Sequence, residues 1–126
     1  MEKAHKKLKA WREAIELVKV IYEITSRLPP EEKYGLTSQM RRSAISIPSN
    51  IAEGAARQTK KESVQYYMIA RGSLSELDTQ VELCGQLNLL GSSHISHLSS
   101  HVNAVDALSQ RTIPYNKTNR TQQRPP

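Results

Sequence analysis

The side chains best suited to chemistry in this sequence are cations. Arg41, Arg42, Arg57, Lys60, Lys61 and Arg71 fall between Thr37 and Gly72, a stretch holding only two acids, Glu53 and Glu62. Guanidinium and ammonium groups on rigid helices can contact successive phosphates, so these six form the candidate nucleic-acid-binding set. The same residues could equally be a solvated face, with Glu53 and Glu62 close enough along a helix to neutralise two of them. No aromatic residues are interleaved in a way that would read bases.

His94, His97 and His101 form a second set, because spacings of three and four place three imidazoles on one side of a helix, where a metal could bind. They flank an apolar stripe, and no Asp or Glu precedes Asp106 in that segment. Boundary histidines and no metal site are therefore expected. Cys84 is the only cysteine, which excludes an intramolecular disulfide and a cysteine-based metal site. At a stripe position it reads as a small buried hydrophobe rather than a reactive thiol.

Catalysis is not expected, and no cofactor is implied. Gly-x-Ser-x-Gly, a phosphate-binding glycine loop and His-Glu-x-x-His are all missing from the sequence. The nearest Arg before His94 is Arg71, too distant for the Arg-then-His arrangement of helical ribonucleases.

The elements that must position these groups are helices. Phe is absent and aromatics make up 5% of 126 residues, so the core must come from Leu, Ile, Val, Ala and Met, which suits helix packing. Leu8, Trp11, Ile15, Val18, Ile21 and Tyr22, then Leu28, recur at helical spacing and predict a helix from about His5 to Arg27, stopped by Pro29-Pro30. A second helix is expected from a cap at Thr37 or Ser38, with Met40, Ala44, Ile47, Ile51 and Ala55 inward. Pro48 lies inside it and cannot donate to the Ala44 carbonyl, so a kink is expected there.

Thr59 to Glu62 has the form of a capping box and starts a third helix through Val64, Tyr67, Ala70, Leu74, Leu77, Val81, Cys84 and Leu87 to Leu90, ended by Gly91. Ser92 or Ser93 then caps a fourth, with Ile95, Leu98, Val102, Val105 and Leu108 inward. Four amphipathic segments with short connections predict an all-α, antiparallel up-down-up-down four-helix bundle over residues 1–112. Residues 113–126 read as a disordered basic tail.

The formal charge of +6 is unevenly spread. Arg111, Lys117, Arg120 and Arg124 supply +4 in the last sixteen residues, where no acid occurs. Between Leu74 and Gln110 there are Glu76, Asp78, Glu82 and Asp106 but no Lys or Arg, so one end of the bundle should be positive and another negative. A charged, amphipathic N-terminus without a long apolar stretch, and a single cysteine, point to the cytoplasm and away from a membrane.

The run Tyr34-Gly-Leu-Thr-Ser-Gln-Met-Arg-Arg-Ser-Ala-Ile-Ser-Ile-Pro-Ser-Asn-Ile-Ala-Glu-Gly54, followed by Ile69-Ala-Arg-Gly-Ser-Leu-Ser-Glu-Leu77, is specific. With the opening Leu-Lys-Ala-Trp-Arg-Glu-Ala, it resembles over about residues 8–90 the four-helix-bundle proteins whose founding members are encoded by intervening sequences within bacterial 23S ribosomal RNA genes. The resemblance implies a bundle commonly assembled as a cyclic homopentamer in the bacterial cytoplasm, with no established catalytic residues. Related bundles serve as basic accessory subunits of reverse-transcriptase systems. The Ser- and His-rich last helix departs from the usual Leu- and Glu-rich one. The leading functional expectation is thus a non-enzymatic homo-oligomer that binds structured RNA or DNA through a basic surface of helices two and three. The alternative is a protein-interaction scaffold or accessory subunit without its own nucleic-acid role.

Overall fold

The computed structural model describes residues 3–112, and the side chains of residues 3–110. The expected tail, with Lys117, Arg120 and Arg124, lies outside the described residues, as does the side chain of Arg111. A short 3-10 turn (Ala4–Lys7) precedes four helices: α1 (Lys9–Thr25), α2 (Leu36–Ala55), α3 (Lys60–Gln86) and α4 (Ser92–Thr112). A second 3-10 turn, Pro30–Glu32, lies between α1 and α2. No strand occurs among the described residues. Each helix packs mainly on two others, α1 on α2 and α4, and α3 on α2 and α4, which is the square of an up-down four-helix bundle. Cross-contacts show that α2 and α3 are antiparallel: Gly54 meets Ser63, Ser46 meets Ser73, and Met40 meets Cys84.

The core is aliphatic, with Leu17, Ile21, Met40, Ile47, Leu77, Val81, Leu98 and Val105 almost fully enclosed. On α1 the buried stripe is Ala10, Ala14, Leu17, Ile21 and Ile24. The larger residues expected inward, Trp11, Ile15 and Val18, are only half-buried, and Tyr22 is exposed. The reason is helix approach: small Ala10 and Ala14 let neighbouring backbones come close, which turns the bulkier stripe toward the flank facing α2.

Several helix ends differ from the sequence expectation: α1 begins at Lys9 rather than near His5, because Ala4–Lys7 form a separate 3-10 turn. Gly35, not Thr37 or Ser38, occupies the N-cap of α2, and the amide of Leu36 donates to Glu32 Oε1 at 3.1 Å. Helix α3 stops at Gln86 rather than Leu90, because Asn88 adopts a left-handed conformation (φ 55°). The amide of Leu89 then donates to the Cys84 carbonyl (2.9 Å) and that of Asn88 to Gly85 (3.1 Å), which is the Schellman closure of a helix end. Helix α4 includes Ser92 from its first residue, with Gly91 rather than a serine preceding it. The Thr59 cap forms as expected, its hydroxyl accepting from the Glu62 amide at 3.2 Å.

Pro48 does not break α2, which runs unbroken from Leu36 to Ala55. The turn containing Pro48 is supported by side chains. Ser49 Oγ donates to the Ile45 carbonyl (2.8 Å) and Asn50 Nδ2 to the Ser46 carbonyl (2.8 Å), so the two carbonyls after Ala44 gain donors where the proline ring crowds the turn.

Candidate nucleic-acid interface

The fold separates the six cations. Arg41 and Arg42 lie thirteen or fourteen residues before the end of α2, which puts them about 20 Å along the helix from Arg57. Arg71 sits about 16 Å along α3 from Lys60. Arg57, Lys60 and Lys61 share the α2–α3 end, whereas Arg41 and Arg42 belong near the opposite one.

Arg41 is occupied by its own fold. Its Nε donates to Thr25 Oγ1 at 3.0 Å and its Nη2 to the Tyr22 carbonyl at 3.3 Å, while the guanidinium stacks 4.4 Å from the centroid of the Tyr22 ring. The Tyr22 carbonyl belongs to the last turn of α1 and also accepts from the Ser26 amide at 3.3 Å, and a cation there meets the favourable end of the helix dipole. Arg41 therefore clamps α2 to α1. Arg57 is tied in a different way: it pairs with Glu53 and stacks on Tyr66 at 4.6 Å. The hydrogen bond to Glu53 raises its pKa further, so it stays charged at any working pH. Arg42, Lys61 and Arg71 make no ion pair among the described residues.

The antiparallel arrangement brings a different set beside Arg57, Lys60 and Lys61. The start of α1 lies at the same end of the bundle as the end of α2, and His5 shares a groove with Ser49 and Ala52 of α2. Residues 3–12 contain Lys3, Lys6, Lys7, Lys9 and Arg12 without an acid. All five are exposed. Arg12 Nη1 donates to the carbonyls of Lys6 (3.1 Å) and Lys7 (3.3 Å), which fixes the 3-10 turn on α1. Together with Arg57, Lys60 and Lys61, eight cations face solvent at one end, and the acids nearest them in sequence are Glu2, Glu13, Glu53 and Glu62. The opposite end is mixed, with Glu23, Glu31 and Glu32 near Arg27, Lys33, Arg41 and Arg42. A count of five cations in ten residues was visible in the sequence; that it joins Lys60 and Lys61 depended on the topology.

The histidines do not converge. His97 and His101 pack edge to face with ring centroids 4.9 Å apart, and among the described residues no three His, Cys, Asp or Glu side chains are grouped so as to hold a metal ion. Cys84 is fully enclosed with Met40 Sδ 3.6 Å away, and burial pushes its thiol pKa up. Among the described residues no helix is long and apolar enough to cross a membrane.

Comparison with known proteins agrees with this architecture. The family model for the 23S rRNA-intervening sequence protein matches residues 6–111, so the Ser- and His-rich α4 falls inside the match. No curated protein matches the chain. A crystal structure of a protein with unknown function from the S23 ribosomal protein family of Bacteroides thetaiotaomicron superposes with a TM-score of 0.77, at 18% identity over 82% of this chain and 97% of that one. At that identity the likeness shows the fold alone.

Proposed function

We propose that this chain, which belongs to the 23S rRNA-intervening sequence protein family, is a non-enzymatic, oligomeric, cytoplasmic protein that binds RNA or DNA. The phosphates are held at the cationic end of the bundle rather than along a joint face of α2 and α3. The carrying observation is the gathering of Lys3, Lys6, Lys7, Lys9 and Lys61, all exposed and free of ion pairs among the described residues, beside Arg12, Arg57 and Lys60. Self-association is supported by exposed apolar side chains on α3, Ile69 (52%) in its first half and the pair Leu83 and Leu87 (42% and 57%) near its end. Several copies of a weak phosphate site on one assembly bind a long nucleic acid with gains on the order of 10²-fold or more. A cytoplasmic setting is consistent with the single free, buried thiol.

Salt dependence tests the reading. About five phosphate contacts give a slope near −4.5 in log K against log salt, and thus a loss of about 500-fold between 50 and 200 mM salt. Changing Lys6, Lys7 and Lys61 to Gln should reduce that slope by about 2.7, while Lys33→Gln at the opposite end leaves it unchanged. Undetectable binding at low salt, or a slope unmoved by the triple change, refutes it.

A further inference from the structure

An open groove runs between α1 and α2 and begins at the cationic end. Its walls are Trp11, Ile15 and Val18 from α1 and Ile45 and Pro48 from α2, with His5 at the mouth. Trp11 and Val18 pack against the edge of the core and stay half-buried, Pro48 is buried, and Ile45 is exposed. The His5 ring packs edge-on against Trp11, centroids 5.0 Å apart. Tyr22 lies on the same side of α1 three turns further on, about 16 Å from Trp11, is 40% exposed, and carries the Arg41 guanidinium on its ring. Cations and aromatics thus follow one another along this side of the bundle: His5, with Lys6 and Lys7 next to it in the chain, then Trp11, then Tyr22 with Arg41 on its ring.

We propose that this groove takes unpaired nucleotides, a single strand whose phosphates follow the lysines of the cationic end and whose bases pack on His5, Trp11 and toward Tyr22. The proposal rests on the nucleic-acid reading above and specifies the form of the ligand. A basic track lined with ring faces is what single strands use, because every base offers a π-face whatever its identity. A duplex keeps its base faces stacked and offers only phosphates and edges, so an apolar groove adds nothing to its binding.

Charge argues against the most obvious competitor, the same face of a second copy. Lys6, Lys7 and Arg12 lie at one end of this face and Arg41 and Arg42 at the other, so either orientation of two such faces sets cation against cation. The Ser49 hydroxyl that lines the groove is spent on the Ile45 carbonyl (2.8 Å), so little sequence preference is expected.

Trp11 is the only tryptophan, so its fluorescence reports directly on the groove. A fifteen-nucleotide single strand and a duplex with the same number of phosphates are titrated into the full chain at fixed low salt. The single strand should quench Trp11 and bind about tenfold tighter than the duplex, the scale of one base–aromatic stack. Measured with a labelled strand, Trp11→Leu should erase that preference and Trp11→Tyr keep it. Ile45→Gln, at a position 43% exposed, should reduce it without disturbing the fold. Equal binding of both forms with unmoved Trp11 fluorescence overturns the groove proposal and leaves the phosphate reading standing, whereas no binding of either removes both. Shielding of Trp11 that grows with protein concentration in the absence of nucleic acid would assign the groove to another copy and also overturns it.

Discussion

Gly54 is the position where a single methyl group should be felt most. It is buried in the last turn of α2, and its carbonyl accepts from Ser63 Oγ of α3 at 2.7 Å. A Cβ added there would stand 2.5 Å from Tyr67 Cε1, 2.7 Å from Tyr67 Cδ1 and 3.0 Å from the Ser63 carbonyl oxygen. Ordinary carbon contacts lie near 3.5–4.0 Å, so the overlap with the ring is about 1 Å, and a ring has no flexible end to move aside. Two effects compete. Replacing Gly with Ala inside a helix favours the fold by about 0.8–1 kcal/mol, whereas overpacking costs about 1–3 kcal/mol. Because the methyl meets a ring and a backbone oxygen together, the second effect should sit in its upper range, leaving Gly54→Ala less stable by about 1–2 kcal/mol. With a urea dependence near 1.5 kcal/mol per M, the midpoint should fall by about 1 M. Removing the ring supplies the control: in a Tyr67→Ala background the added methyl should be neutral or raise the midpoint, giving a coupling of about 1–3 kcal/mol between the two sites. A raised midpoint for Gly54→Ala in the otherwise unaltered chain would refute the close approach of α2 and α3 as the reason for this glycine.

Two further outcomes follow from buried polar groups. Gln80 places Oε1 out of water without a hydrogen-bond partner, while its Nε2 donates to Glu76 Oε1 at 3.4 Å. Gln80→Met keeps the shape and removes the orphaned carbonyl, so urea melts should show no loss, or a gain of up to about 1 kcal/mol, and a loss above about 2 kcal/mol would contradict the geometry. The Cys84 thiol is pushed above the ordinary thiol range by burial, with the Glu32 charge adding to it. Since the folded pKa exceeds the unfolded one, its contribution to stability is complete below the unfolded value of about 8.5 and is lost as pH rises through the folded value. Stability measured from pH 8 to 11 should therefore decline less steeply in Cys84→Ala than in the unaltered chain; the remaining decline includes Tyr67, whose pKa burial also raises. Equal slopes would show that the thiol ionises as it does in the unfolded chain.

Most of the bundle could be read from periodicity, and the parts that could not share one cause. A linear pattern records which residues are apolar or charged but not how close two helices approach. On α1 two apolar stripes overlap, and Ala10 and Ala14 rather than Trp11 and Ile15 face the core because small residues permit the closer contact. The stripe so displaced became the wall of a groove. Arg41 looked equivalent to Arg57 in a window of the sequence, yet its bonds to Thr25 and Tyr22 span sixteen and nineteen residues and follow from no local rule. Lys6 and Lys7 joined Lys60 and Lys61 for the converse reason, an antiparallel return that adds no signal to either segment.

The most recognisable run, Ser46 to Gly54, shows the same division between what identifies and what acts. Ser46 Oγ accepts from Ser73 Oγ at 2.8 Å and from Asn50 Nδ2 at 3.0 Å, which ties α2 to α3 through a small polar bridge. Pro48 is buried against the α1 flank, and Gly54 admits the Tyr67 ring. Ser46, Asn50 and Gly54 settle how α2 sits against a neighbour, whereas Pro48, Ser49 and Ala52 of the same run only form one wall of the groove. A signature made of helix-pairing residues identifies the fold well and is silent about the ligand. The proposed chemistry of this chain has therefore to be sought in the exposed lysines near the start of α1, whose charge no packing explains, and in the His5 and Trp11 rings beside them.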